Sequence, residues 1–216
     1  MSRTANTVEV NHSDVPIRLF KSSLLEFFTH IHPAVVVIIW LPVAVFFLGR
    51  AIIGLGASIS WVVIPGAFVL GVFLWTLAEY LVHRFVFHYD PKGERMQKFF
   101  FLFHGVHHAQ PQLKTRLVMP PVLSIPMAIV FYGLFSLCFG TLLAMPYLIA
   151  PTFSGFILGY LTYDLLHYAT HHWPMRAGYL KFLKRYHMTH HFKNPNAYYG
   201  VSSPLWDMVF KTRPAI

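Results

Sequence analysis

Three stretches of this chain carry no lysine, arginine, aspartate or glutamate: Phe27 to Gly49, Ala51 to Ala78, and Leu117 to Tyr163. Crossing the hydrocarbon core of a bilayer takes roughly 20 apolar residues, so each run is long enough to span. The first two are separated only by Arg50 and a segment containing Gly54 and Gly56, which reads as a turn between two helices. The third is long enough for two spans, with its turn near Gly140 to Pro146. The expected fold is an all-α integral membrane protein with four transmembrane helices in two hairpins and a cytoplasmic helical cap. Composition agrees, because only 12% of the residues are charged against roughly 25% in a soluble domain. With 216 residues and no composition shift or internal repeat, residues 1–216 are expected to form a single domain.

Four spans leave the N-terminus, the segment Leu81 to Arg116 and the tail after Leu166 on one side of the membrane. Every lysine and arginine except Arg50 lies in those three regions. By the positive-inside rule that side is cytoplasmic, in a bacterial inner membrane or an endoplasmic reticulum. The net charge of +9 is thus explained by topology and by anionic lipid headgroups, and a nucleic-acid partner is not expected. Met1 to Phe20 is polar and has no apolar core, so no cleavable secretory signal is expected. Cys138 is the only cysteine, which excludes an intramolecular disulfide and a multi-thiolate metal site. Any metal must be held by nitrogen or oxygen.

Fourteen histidines are present, and eleven fall in four clusters on the side reached by both hairpins: His83/His88, His104/His107/His108, His167/His171/His172, and His187/His190/His191. Helical residues three and four apart share a face, so each triplet His104/His107/His108 and His187/His190/His191 can point into one cavity, as can His167 and His171. Imidazole nitrogen suits iron, zinc, copper and nickel. His83 and His88 lie about 140° apart on a regular helix, so either they serve different metals or the helix ends between them. His172 points away from its neighbours and is left out. The remaining ten, His83, His88, His104, His107, His108, His167, His171, His187, His190 and His191, are too many for one ion, and two metals sharing them is the economical arrangement. His12, His30 and His32 share no spacing and are expected at the surface or interface. Each cluster alone could be interfacial histidine; four of them, from two distant parts of the chain, on one face, argue against that.

Acidic residues are scarce. Glu79 precedes His83 by one helical turn and Asp164 precedes His167 by one. Metal-bound histidines usually donate their second nitrogen to a carboxylate or carbonyl, so both are expected to hold those rings, with an ion pair to a base such as Arg84 as the competing role.

The order His-x4-His, His-x2-His-His, His-x3-His-His, His-x2-His-His, split by a helical hairpin, resembles the fatty acid hydroxylase and sterol desaturase superfamily. The likeness is to the fatty acid 2-hydroxylases in particular. It is carried by Glu79 to His88, His104 to His108, Arg116-Leu-Val-Met-Pro-Pro121, Gly159 to Asp164, Leu183 to Phe192 and Gly200-Val-Ser-Ser-Pro-Leu-Trp-Asp207. The resemblance implies a dimetal centre on the same ten histidines, iron in the active form, with zinc able to fill the sites without redox chemistry. It also implies a membrane lipid as substrate, and O2 and two electrons used to hydroxylate C2 of its acyl chain. Many members carry a cytochrome b5 domain marked by His-Pro-Gly-Gly. That motif is missing here, so electrons are expected from a separate protein, cytochrome b5 or a ferredoxin, and a basic face suits an acidic donor. Tyr163, Tyr168, Tyr186 and Trp206 are candidates to line the head-group site, although aromatics at a membrane edge also serve as interfacial anchors. A sterol or carotenoid hydroxylase of the same superfamily, and a histidine-rich metal transporter, are the competing functions. A transporter would place its ligands near the bilayer midplane, whereas these clusters follow the ends of the spans.

Overall fold

The computed structural model describes residues 10–56 and 59–214, and among them every regular element is helical. Helix α1 (Ser23–Phe27) is capped by the Ser22 hydroxyl, which accepts from the Leu25 amide. Helix α2 (Pro33–Ile53) has proline at its first position, where the missing N–H costs nothing. The imidazole of His32, exposed as expected, caps it by accepting from the Ala34 amide at 3.1 Å. Residues 54–62 lead to α3 (Val63–Val82), which runs directly into a wide π-helical turn, His83–Phe87. Helix α4 (Glu94–Phe100), a second π turn (Phe101–Gly105) and α5 (Val106–Ala109) follow. Helix α6 (Pro121–Phe135) unwinds through a third π segment, Ser136–Leu142. The break that follows, before the 3₁₀ turn Pro146–Leu148, lies where the hairpin turn was expected. Helices α7 (Ile149–His172), α8 (Gly178–Phe192) and α9 (Leu205–Val209) complete the chain.

These residues form two compact units. One gathers His32–Thr76 and Met119–Thr162. Its core is aromatic: Trp40 and Trp75 both meet Tyr160 edge-on, at 5.7 and 5.2 Å between centroids, and Trp75 also meets Phe156 at 5.1 Å. The few polar groups are matched, with Trp40 Nε1 donating to Ser124 Oγ at 3.2 Å and Ser154 Oγ to the Ala44 carbonyl at 2.7 Å. Among the described residues three helical segments are long and apolar enough to cross a membrane: Pro33–Ile53, Val63–Phe87 and Lys114–Leu142. Their outward faces carry Ile38, Val45, Phe46, Val69, Ile129 and Val130, all more than half exposed. An apolar belt of that kind is unfavourable in water and ordinary in lipid. The protein is a membrane protein.

The other unit gathers residues 10–31, Leu77–Val118 and residues 163–214, and it holds all ten expected ligand histidines. Its N-terminal strap is fixed by two side chains. Gln110 donates to the carbonyls of Ser13 and Val15 and accepts from the Ile17 amide at 2.8 Å. Arg116 donates to the Ile17 carbonyl, to Glu26 Oε1 and to His30 Nε2, while Glu26 Oε2 accepts the amides of Leu19 and Phe20. His30 is partly buried, bonded to Arg116 and, at 2.7 Å, to Thr115 Oγ1. The Arg116 side chain is 3% exposed and that of Glu26 17%. Removing one partner of a buried pair strands the other charge and costs about 3–5 kcal/mol, and the partial exposure of Glu26 lowers this to about 2 kcal/mol. Arg116→Met is expected to lose that much and to speed amide exchange at Ile17, Leu19 and Phe20. Adding Glu26→Gln should recover part of the loss.

Candidate metal centre

The five-residue spacing of His83 and His88 is resolved by the backbone. On an α-helix the two would diverge, but the turn His83–Phe87 is a π-helix closed by the His88 amide on the His83 carbonyl at 3.1 Å. An i to i+5 bond widens the turn, so residues five apart come onto one side. Their rings lie 5.0 Å apart, on one side of the turn.

The ten histidines sort into two groups of five. His83, His88, His104, His108 and His190 form the first, and His107, His167, His171, His187 and His191 the second; within each, one ring nitrogen from every residue lies within 4.8 Å of all the others. Each triplet is divided rather than shared. On α8, His187 and His191 join the second group while His190 joins the first, and across the second π turn and α5, His104 and His108 join the first while His107 joins the second. The pairs four apart stay together, and the residue between them faces the other way. His172 belongs to neither group.

Within the first group the Nε2 atoms form a chain: His83 to His104 at 3.1 Å, His104 to His108 at 2.9 Å, His108 to His190 at 3.2 Å. Both ends are fixed as acceptors, because Nδ1–H of His83 donates to the Tyr199 carbonyl and Nδ1–H of His190 to the Ala197 carbonyl at 2.7 Å. His104 and His108 each bring at most one proton to Nε2, which leaves two protons for three contacts. At least one contact then sets lone pair against lone pair unless a cation lies between. In the second group the spacings are 3.0 Å (His107–His191), 2.9 Å (His167–His107) and 2.9 Å (His171–His187). Nitrogens bound to one metal at about 2.1 Å and at right angles lie about 3.0 Å apart. The residues therefore fit two metal ions. Burial, then the neighbouring imidazoles, pushes His104, His107, His108 and His191 well below the usual histidine range, so the rings are neutral and able to coordinate. His88 Nε2 is buried with no hydrogen-bond partner, an orphan that a cation would satisfy.

Glu79 does not hold His83, as its spacing led us to expect. Its carboxylate accepts from the Val201 amide at 2.6 Å, from the Ser202 amide at 2.8 Å and from the Ser202 hydroxyl, and the Tyr199 carbonyl takes the ring instead. Nor does Glu79 pair with Arg84, which donates to Tyr80 Oη at 2.7 Å. Asp164 is buried one turn before His167 on α7. Of the aromatic candidates, Tyr163 stacks on His167 with centroids 5.8 Å apart and planes at 22°. Tyr168 lies against His172 at 4.8 Å. Tyr186 is buried between Phe182 and Tyr198, and Trp206 stacks on Phe210. Sequence reasoning missed Ala197 and Tyr199, which act through backbone carbonyls and so carry no side-chain signal, and Phe87, whose ring stacks on His104 at 5.1 Å and 16°.

The model of the family described as "Fatty acid hydroxylase" matches residues 68–212, which include every histidine of both groups. The chain belongs to the fatty acid hydroxylase family. Among family members, the dihydroceramide fatty acyl 2-hydroxylase FAH1 of Arabidopsis thaliana is 36% identical over 197 residues, covering 91% of this chain and 80% of that protein. The fatty acid 2-hydroxylase of Homo sapiens is 38% identical over 216 residues, covering 91% of this chain and 56% of that protein. A solved structure described as full-length scs7p, with only the hydroxylase domain visible, superposes with a TM-score of 0.80 at 38% identity, covering 89% of this chain and 70% of that one. As a fatty acid hydroxylase family member this protein is an enzyme, and its paired histidine groups are of the kind a metal-dependent hydroxylase needs.

Proposed function

We propose that this protein hydroxylates C2 of a fatty acyl chain, carried by a ceramide-type sphingolipid or as a free fatty acid, at a pair of metal ions held by the ten histidines. The observation that carries this is the division of ten imidazoles, eight of them buried, into two groups of five with metal-like nitrogen spacing, in a family whose similar members are named fatty acyl 2-hydroxylases. An aliphatic C–H bond is beyond the acid-base chemistry of ordinary side chains. A pair of iron ions, when bound, supplies the oxygen-activating redox chemistry, and the protein supplies placement and exclusion of water. His83, His88, His104, His108 and His190 would hold one ion, and His107, His167, His171, His187 and His191 the other. The burial of eight of the ten keeps water from the reacting centre, and Tyr163, stacked on His167, is the aromatic best placed to guide the lipid head.

The first group draws on His83 to His108 and on His190, and the second on His107 and on His167 to His191. The chain between Arg116 and His167 must therefore return to the side it left, which supports α7 as a fourth span beside the three apolar segments. The exposed Lys92, Arg95, Lys98, Arg176, Lys181, Arg185 and Lys193 lie on the histidine side, which supports a cytoplasmic active face and suits an acidic electron donor such as cytochrome b5 or a ferredoxin.

The test is lipid analysis of cells expressing the protein, with released acyl chains examined for one added oxygen at C2. Purified protein stripped by a chelator should lose this activity and recover it with ferrous iron but not with zinc, which has no redox chemistry. Expression without any 2-hydroxylated lipid, or recovery with zinc, would sink the assignment.

A further inference from the structure

The loop Ala197–Ser202 has every backbone amide from Tyr198 onward assigned to an acceptor. Tyr198 N–H donates to the Thr212 carbonyl at 3.0 Å. Tyr199 N–H donates to Asp207 Oδ1 at 3.0 Å and Gly200 N–H to Asp207 Oδ2 at 2.7 Å. Val201 and Ser202 donate to Glu79. Both carboxylates are buried, and among the described residues neither forms an ion pair; these amides and two hydroxyls, of Ser202 on Glu79 and of Thr212 on Asp207 at 2.6 Å, solvate them instead. Near the start of the loop Tyr198 has φ 60°, a left-handed conformation costing about 1–3 kcal/mol for a non-glycine residue and held only where the surroundings impose it. The carbonyls on either side of that residue, Ala197 and Tyr199, are the ones that take Nδ1–H of His190 and His83. Both rings belong to the same group of five.

The Tyr199 carbonyl and the Gly200 amide are the two ends of one peptide unit. Asp207 Oδ2 therefore pulls on the N–H of the same peptide whose oxygen receives His83. We infer that Asp207 is a positioning residue that acts on His83 through the Tyr199–Gly200 peptide, in place of the direct carboxylate contact common at metal-bound histidines. Glu79 fixes the far end of the same loop. The charge on Asp207 polarises the peptide, the peptide oxygen becomes a stronger acceptor, and Nε2 of His83 becomes a better donor to metal. The second group is built otherwise, since Nδ1 of His107, His187 and His191 is buried without a hydrogen-bond partner. Asp207 thus strengthens metal retention at one group and not at the other.

This rests on the two-metal reading, and the experiment separates the two. Purified wild-type protein loaded with zinc is expected to hold two ions per chain and to release them to a chromophoric chelator in two phases. In Asp207→Asn, where an amide faces one of the two loop N–H groups, one phase should accelerate by about 10–100-fold, the range for partners of metal-bound histidines, while the other is unchanged. Adding His187→Ala should then remove the unchanged phase. Equal acceleration of both phases, or none, overturns the relay and leaves the metal centre intact; wild-type protein holding fewer than two zinc ions overturns both. Thr212→Val, which removes a hydroxyl from Oδ1 and from Tyr80 Oη at a half-buried position, provides the same comparison if Asp207→Asn does not fold, with a selective acceleration of less than about tenfold.

Discussion

Replacing His107 by alanine is expected to abolish acyl hydroxylation and to lower the metal content of the purified protein from two ions per chain to one. His107 is the hub of the second group. Its Nε2 meets those of His167 and His191, and its ring lies 4.5, 4.8 and 4.6 Å from the rings of His167, His171 and His191. Loss of a partner outside the ligand set lowers metal affinity by about 10–100-fold, so loss of a ligand at the centre of the set should exceed 100-fold. The neighbouring His108 belongs to the other group, and that ion should stay. His190→Ala should produce the mirror result, and the double variant should hold no metal. Elemental analysis decides it: two ions per chain in either single variant would show that these groups are not the binding sites.

The largest effect on stability is expected from Gly71→Val and Gly155→Val. A Cβ at Gly71 would lie 1.9 Å from the Thr152 carbonyl oxygen, and one at Gly155 would lie 1.9 Å from the Phe68 carbonyl oxygen. Helices α3 and α7 therefore touch backbone to backbone, each glycine receiving the other helix, an approach that only small residues permit. No rotamer change relieves a clash with a main-chain oxygen, so the helices must separate and the Trp75–Phe156 and Trp75–Tyr160 contacts open with them. Ordinary overpacking costs about 1–3 kcal/mol, and this should reach or pass the upper end. Gly66→Ala and Gly133→Ala, which meet nothing within 4 Å, are the controls and should be neutral or slightly stabilising because alanine favours helix. Thermal melts of the detergent-solubilised variants would check it, and Gly155→Val melting with the controls would contradict the close approach.

The apolar runs made the membrane helices legible, because absence of charge over 20 residues is a property of sequence alone. The break after Leu142 falls within Gly140 to Pro146, where the length of the third run called for a turn. The assignment of histidines to groups was not. A triplet at i, i+3, i+4 covers an arc broad enough to serve one cavity or two, and only the position of the facing helix decides between them. Glu79 shows a different failure: its spacing to His83 is that of a ring contact, yet the amides of Val201 and Ser202, over 100 residues later in the chain, supply better donors. Asp207 stood at the end of a quoted motif without a role, since what it binds is backbone. The aromatic candidates were chosen by nearness in sequence; Tyr163 stacks on a histidine of the second group, whereas Tyr186 and Trp206 meet aromatics outside both groups.

The wide turn at His83–Phe87 bears on how histidine motifs are compared. Three of the pairs in the two groups, His104/His108, His167/His171 and His187/His191, are four residues apart, and His83/His88 is five apart, yet all four deliver two nitrogens to one place. An insertion of a single residue into a four-spaced pair, absorbed as a π bulge, converts one pattern into the other without moving the ligands. Spacing in such a protein is therefore not an identity to be matched letter by letter, and chains whose counts differ by one residue can build the same coordination sphere.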